Sequence, residues 1–295
     1  MNSSQPVAIV TGGGRGLGRC HVDALVAAGY AVVVNDLGVA RDGTGAERSV
    51  AEETAAVICA TGGRAVASGH DVADFDQATA LVDLALESFG RIDVVVNNAG
   101  ILRDRMIVNT TPQEWDDVIR VHLRGTFAVL QAAARHWRLL AKAGTPVAAS
   151  IVNTTSPSGL YGKPGQANYG AAKAGIATLT MIAAAELEQY GVRVNAVAPV
   201  AFTRMTEDLV TDPEAATELA PERVSPLVVW LAGADAGDVT GRVFEVSGRR
   251  IAVVDPWRRA PEEVPPVPLG VEEAGRIATR LLAEATPLPA MGGNL

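Results

Sequence analysis

Val7-Ala8-Ile9-Val10, followed by Thr11-Gly12-Gly13-Gly14-Arg15-Gly16-Leu17-Gly18, is the stretch that decides the architecture. Four apolar residues, three of them β-branched, read as a strand buried on both faces, and the glycines after it read as a tight turn into a helix. Glycines let a backbone approach a pyrophosphate closely, while free amides at a helix start present partial positive charge to it. Glycine also ends strands and makes plain turns. The strand before, the helix after and the place in the first unit of the fold favour nucleotide binding, with Gly12, Arg15, Gly16, Leu17 and Gly18 at the phosphates.

Outward from this segment the same alternation recurs. Ala31 to Asn35, Ala65 to Ala67, Ile92 to Val96, Ala148 to Asn153, Arg193 to Ala196 and Val243 to Val246 are short apolar or β-branched runs separated by helical patterns. This predicts an α/β fold: a doubly wound, parallel, seven-stranded sheet of Rossmann type with helices on both faces. Thr111-Pro112-Gln113-Glu114 reads as an N-cap, a first-turn proline and a capping-box glutamate, opening a helix that runs to about Trp137. The body closes near Gly248. Pro256, Pro261, Pro265, Pro266 and Pro268 then come too close together for a regular element. They lead to a helix over about 271–285, with Ala274, Ile277, Ala278, Leu281 and Leu282 on one apolar face. The expected organisation is one domain over 1–250 and a proline-rich arm with a C-terminal helix over 251–295.

Composition narrows the function. About half of the 295 residues are apolar, no run approaches the roughly 18 apolar residues of a membrane span, and Met1-Asn-Ser-Ser-Gln-Pro lacks a basic segment followed by an apolar one. A soluble, cytoplasmic protein is expected. A formal net charge of −8 without a basic cluster speaks against nucleic acid as a partner. Cys20 and Cys59, the only cysteines, match no metal or redox spacing and read as reduced thiols, so no metal site is expected.

Asp36 ends the second strand, where a carboxylate can accept hydrogen bonds from both ribose hydroxyls and repel a 2′-phosphate. It favours NAD over NADP, although Arg15 could pair with such a phosphate and Asp36 could simply cap the turn into Leu37-Gly38. Asp71-Val72, after the third strand, is placed for the adenine edge or for a helix cap. Asn97-Asn98-Ala99-Gly100 follows the fourth strand at its carboxyl end, where ligands sit in open α/β sheets, or makes a plain strand-end turn. Asn98, Ala99 and Gly100 are therefore candidate cofactor contacts.

Ser156 follows the fifth strand, and Tyr169 and Lys173 stand four apart on the next helix, on one face. A free phenol has a pKa near 10, and an adjacent ammonium is expected to lower it. With Ser156 on the substrate oxygen, Tyr169 can then take a proton in oxidation or give one in reduction. A tyrosine four before a lysine is uninformative alone. Joined to the glycine loop and the strand-end serine, it indicates a hydride-transfer enzyme acting on secondary alcohols or ketones.

Thr11 to Gly18, Asn97 to Gly100, Ser156 and Tyr169 to Lys173 together resemble the short-chain dehydrogenase/reductase family, over roughly residues 6–248. Longer strings, among them Val34 to Gly38, Asn97 to Arg105 (NNAGILRDR), Val121 to Gly125 and Gly165 to Tyr169, resemble the (R)-3-hydroxyacyl-CoA dehydrogenase unit of peroxisomal multifunctional enzymes and its stand-alone actinobacterial relatives. The resemblance implies oxidation of a 3-hydroxyacyl-CoA to the 3-oxoacyl-CoA with NAD, cofactor contacts from Tyr169 and Lys173 as well, and a homodimer or homotetramer paired through the helices starting near Thr111 and Gly165. It also exposes departures. His122 stands where the family usually has an asparagine that relays protons from the lysine, so His122 is either catalytic or a packed helix residue. Pro199-Val200 replaces proline-glycine beside the nicotinamide, with Thr203 as a candidate carboxamide contact. Arg103, Arg105 and Arg204 could meet CoA phosphates, or be solvated charges. Other readings are a hydroxysteroid or other alcohol dehydrogenase, for which the apolar 200–225 segment would cover the substrate; a 3-oxoacyl reductase; and a nucleotide-sensing protein without chemistry.

Overall fold

The computed structural model describes residues 5–40, 42–45, 49–201, 218–255, 257, 262 and 270–285. Within them the chain runs β1 (Val7–Thr11), α1 (Gly16–Ala27), β2 (Ala31–Asn35), α2 (Ser49–Ala60), β3 (Ala65–Ser68), α3 (Phe75–Phe89), β4 (Val94–Asn97) and α4 (Pro112–Ile119). A π-helical turn at Arg120–Arg124 joins α4 to α5 (Gly125–Lys142). Then follow β5 (Ala149–Thr154), α6 (Pro157–Tyr161), α7 (Ala167–Leu187), β6 (Val192–Val200), α8 (Ser225–Ala232), β7 (Val243–Ser247), β8 (Arg250–Val254) and α9 (Val271–Glu284).

The sheet order is β3-β2-β1-β4-β5-β6-β7-β8, parallel up to β7. The doubly wound fold is as expected, and the winding reverses between β1 and β4, which opens a crevice at the carboxyl ends of the strands. Both faces of the central strands are covered, and the apolar residues of β1 point to both: Val7 and Ile9 pack toward α3, α5 and α7, while Ala8 and Val10 pack toward α1, α2 and α8.

Three expectations are corrected. The sheet has eight strands rather than seven, because Ser247 pairs with Arg250 across a two-residue turn and β8 returns antiparallel to β7. The Arg250–Val254 run alternates in the strand manner, with Ile251 and Val253 exposed and Ala252 and Val254 half-buried, so the sheet continues past the point where the body was expected to close. Second, the helix capped at Thr111 does carry both capping-box bonds, but the π turn interrupts it and it ends at Lys142 rather than near Trp137. Third, the face of α9 is narrower than its spacing implies: Ile277 is buried, Ala274 and Leu281 are half-buried, and Ala278 and Leu282 are exposed. The five clustered prolines lie outside the described residues, as does most of the 200–225 segment. No helix among the described residues is long and apolar enough to cross a membrane.

Candidate active site

The glycine loop is built for close approach. Gly12 takes φ +62°, which favours glycine, and a Cβ added at Gly18 would overlap the Gly12 carbonyl oxygen, so α1 starts pressed against the loop. No acidic residue stands in the first turn of α1 to oppose an anion there. Thr11, which spacing did not single out, ties this loop to the end of β4: its hydroxyl accepts from the Asn98 and Ala99 amides at 3.0 and 3.1 Å. The Asn98 side chain in turn donates to the Thr11 and Gly12 carbonyls. Asn98 thus braces the loop as well as bordering the crevice.

One cavity of about 260 Å³ runs along the crevice. It is lined by Gly12, Arg15, Gly16, Leu17, Gly18, Asp36, Asp71, Val72, Asn98, Ala99 and Gly100, that is, by every cofactor candidate from the first four strands. This cradle fits a dinucleotide. The Asp36 carboxylate faces it while accepting from the Gly14 amide at 2.9 Å and the Gly38 amide at 2.7 Å, so the turn cap and the place beside the loop are both realised. Asp71 accepts from the Ala73 amide and pairs with Arg120, which holds that corner closed from the π turn. His70 and Arg120 also line the cavity and were not singled out, because what brings them there is strand ends meeting across the sheet rather than local spacing.

Beyond the cavity, the strand ends and α7 bring Ser156, Tyr169 and Lys173 together. Ser156 caps α6, its hydroxyl accepting from the Ser158 amide at 3.2 Å, and also bonds the Tyr169 hydroxyl. Lys173 is buried, donates to the Thr154 carbonyl at 2.6 Å and holds its ammonium 5.5 Å from the Tyr169 ring centre. Burial pushes the phenol up to about 12, against the pull of the Ser156 hydroxyl and with Asp104 adding to it, and pushes the Lys173 ammonium down to about 7. The expected lowering of the phenol by Lys173 is not found: desolvation dominates, and the ammonium directs its proton at a backbone carbonyl.

His122 lies in the π turn with its ring edge-on to Tyr169, 5.1 Å between ring centres. The ring fills the space that a side chain at Gly100 would need. Its Nε2 is 2.8 Å from the Ile101 carbonyl oxygen and 3.1 Å from the Ile101 amide nitrogen, so either tautomer finds a partner there, while Nδ1 is buried without one. Burial, helped by the Lys173 charge, pushes this imidazole down to about 3, so it is neutral across the physiological range.

His21, buried against Ser225, is pushed down to about 3 as well. Both rings bind a proton near 6.5 once unfolded, so below that pH the unfolded chain takes up protons that the folded chain refuses, and stability falls as pH falls. We expect a loss of about 2 kcal/mol per histidine between pH 7.5 and 5. Melting midpoints measured across that window should drop steeply. A flat midpoint would contradict the two neutral histidines.

Among the remaining candidates, Pro199 sits in β6 opposite Val246, and Thr203 and Arg204 lie outside the described residues. Arg103 lines the cavity and pairs with Asp42 at 3.8 Å and Asp117 at 3.6 Å, whereas Arg105 is exposed and pairs with Glu114 at 3.4 Å.

Comparison with known proteins gives the family. The family model for short chain dehydrogenases matches residues 6–214. The hydroxyacyl-CoA dehydrogenase ChsB1 of Mycobacterium tuberculosis is 44% identical over 260 residues, covering 86% of this chain and 80% of that protein. Mouse peroxisomal multifunctional enzyme type 2 is 45% identical over 254 residues, 86% of this chain but 33% of that longer protein. A crystal structure of a short chain dehydrogenase from Mycobacterium avium superposes with a TM-score of 0.88 at 51% identity, covering 98% of each chain.

Proposed function

Because the chain belongs to the short chain dehydrogenase family of nicotinamide-dependent oxidoreductases, we propose that it oxidises (R)-3-hydroxyacyl-CoA thioesters to 3-oxoacyl-CoA with NAD. The observation that carries the chemistry is the Ser156–Tyr169 hydroxyl pair with Lys173 beside it, at the end of a crevice lined by a glycine cradle. The thioester rests on the kinship with a protein named as a hydroxyacyl-CoA dehydrogenase, over 86% of this chain.

Gly12, Arg15, Gly16, Leu17 and Gly18 would hold the pyrophosphate, Asp36 the adenosine ribose, Asp71 and Val72 the adenine, and Asn98 to Gly100 with Tyr169, Lys173, Pro199 and Thr203 the nicotinamide half. The bound nicotinamide supplies a two-electron acceptor for the carbinol hydrogen. Ser156 donates a hydrogen bond to the substrate oxygen, and Tyr169 takes the hydroxyl proton as the carbonyl forms. Lys173, poised to about 7, can exchange a proton near neutral pH and so replenish or drain the phenol. His122 stays neutral, fixes the Tyr169 ring edge-on and offers Nδ1 as the relay atom in place of an amide.

The carboxylate of Asp36 beside the loop favours NAD, since a 2′-phosphate there would face a fixed negative charge. A screen of (R)- and (S)-3-hydroxyacyl-CoA of several chain lengths, with NAD and with NADP, tests both halves of the proposal. Reduction of NAD by the (R)-thioesters, at least tenfold faster than of NADP, is expected. No reduction with any thioester would remove the substrate assignment, and turnover of hydroxysteroids alone would replace it.

The chain also works as a homodimer or homotetramer on this reading. Trp115 on α4, Phe127 and Leu139 on α5 and Ile182 on α7 are exposed apolar side chains on the helices expected to pair. Light scattering at micromolar concentration should give a multiple of the 30.5 kDa chain mass, and a monomer would contradict it.

A further inference from the structure

The hydroxyl of Ser156 is held by a line of groups that begins at the surface. The Asp104 carboxylate, exposed at the rim, accepts from the Gln166 side-chain amide at 2.7 Å, and the Gln166 carbonyl oxygen accepts from the Ser158 hydroxyl at 2.7 Å. The Ser158 backbone amide then donates to the Ser156 hydroxyl, which bonds Tyr169. Resting on the proposed roles of Ser156 and Tyr169, we infer that Asp104 and Gln166 are positioning residues of the reaction, setting the Ser156 hydroxyl through Ser158.

The direction of this chain follows from its outer end. A carboxylate only accepts, so the Gln166 NH2 group must face Asp104 and its carbonyl must face Ser158; the flipped amide would set two oxygens against each other. Ser158, with its hydroxyl committed to Gln166, is fixed, and its amide occupies one lone pair of the Ser156 oxygen. With its oxygen held by that amide, the Ser156 proton, directed at Tyr169 in this structure, can turn to the reacting oxygen. Gln166 and Ser158 are both buried, at 7% and 6% exposure, so water does not substitute freely for either bond. The backbone on either side of Asp104 is pinned to the start of α7, by the Arg105 amide on the Gly165 carbonyl at 2.8 Å and by the Asn168 side chain on the Arg103 carbonyl at 3.1 Å.

Asp104 also brings charge. Among the described residues, the groups facing the Tyr169 phenol are Lys173 from its own helix, His122 from the π turn, Ser156 from the end of β5 and Asp104 from the loop after β4, and Asp104 is the one anion of these four. A negative charge there disfavours the phenolate, so its removal should ease ionisation.

The test compares Gln166→Ala and Asp104→Asn with Tyr169→Phe in the full chain. Gln166→Ala cuts both links and should lower kcat roughly tenfold, with little change in the KM for the nicotinamide cofactor. Asp104→Asn keeps an acceptor of the same shape, so it should lower kcat less. It should also move the acid limb of kcat/KM for oxidation to lower pH by about half a unit, the size expected of one solvent-screened charge. A Gln166→Ala enzyme within twofold of the parent kcat, or an Asp104→Asn profile superimposable on the parent, overturns the inference if Tyr169→Phe is inactive. Should Gln166→Ala not fold, the Asp104→Asn profile decides alone. An active Tyr169→Phe would instead remove the reading on which the inference rests.

Discussion

The Tyr169→Phe enzyme is expected to lose roughly 10²- to 10⁴-fold in kcat, the range that a positioned general acid or base contributes. Its cofactor binding should weaken only a few fold, because the glycine-loop cavity that would hold the pyrophosphate and adenosine is lined without Tyr169, which meets the nicotinamide half alone. Its fold should hold as well, since phenylalanine keeps the edge-on contact with the His122 ring. The pH dependence gives a second signature. Burial pushes the Tyr169 phenol up to about 12, so at neutral pH the protonated form dominates, ready to donate in reduction but short of the base needed for oxidation. Oxidation by the parent should therefore climb with pH, toward a limiting tenfold per unit, and the residual rate of the variant should not. Steady-state rates between pH 6 and 9, with cofactor binding followed by fluorescence quenching, check each part. A variant within a few fold of the parent would show that the phenol takes no part.

The second large effect is expected at Gly18. An alanine Cβ there would overlap the Gly12 carbonyl oxygen and crowd the Asn98 side chain, and neither can retreat without opening the brace between the loop and β4. Overpacking of this kind typically costs about 1–3 kcal/mol of stability. Because the displaced groups form the pyrophosphate cradle, the cofactor Kd should rise by about tenfold or more. Gly16 is the natural contrast. Its φ is +51° but nothing lies within 4 Å of an added Cβ, so Gly16→Ala carries only the backbone strain, about 1–2 kcal/mol. Chemical denaturation and cofactor titration of the two variants should separate crowding from strain. Equal effects at both positions would contradict the role given to the Gly18 contact.

Much of this was legible because local pattern and global fold agree. Buried parallel strands carry short runs of apolar residues, the Thr111 capping box is written within four residues, and the glycine loop, Asp36 and the Tyr169 to Lys173 spacing are all local signals. What escaped lies where geometry departs from regular periods or depends on distant partners. The π turn at Arg120–Arg124 inserts a residue's worth of rotation, about 100°, into a helix whose sequence reads as continuous. That turn carries His122 into the site. Strand β8 was hidden because Ile251 and Val253 face outward, so its apolar residues do not mark a buried core face. Thr11, Gln166 and Asp104 were missed for another reason: each matters through a bond to a residue some 60 to 90 positions away. The pKa order of Tyr169 and Lys173 also needed coordinates, since burial and charge pull in opposite directions and only the surroundings say which is larger.

The central claim is that the carbinol hydrogen of a 3-hydroxyacyl thioester leaves as a hydride while Tyr169 takes the hydroxyl proton. It is tested most directly by turning over (R)-3-hydroxyacyl-CoA deuterated at C3 with NAD and weighing the recovered dinucleotide. The account predicts that each reduced nicotinamide carries one deuterium with either enzyme, and that the amount of labelled product formed in a fixed time falls roughly 10²- to 10⁴-fold in the Tyr169→Phe enzyme. Reduced dinucleotide without deuterium, or labelled product formed equally fast by both enzymes, would contradict it.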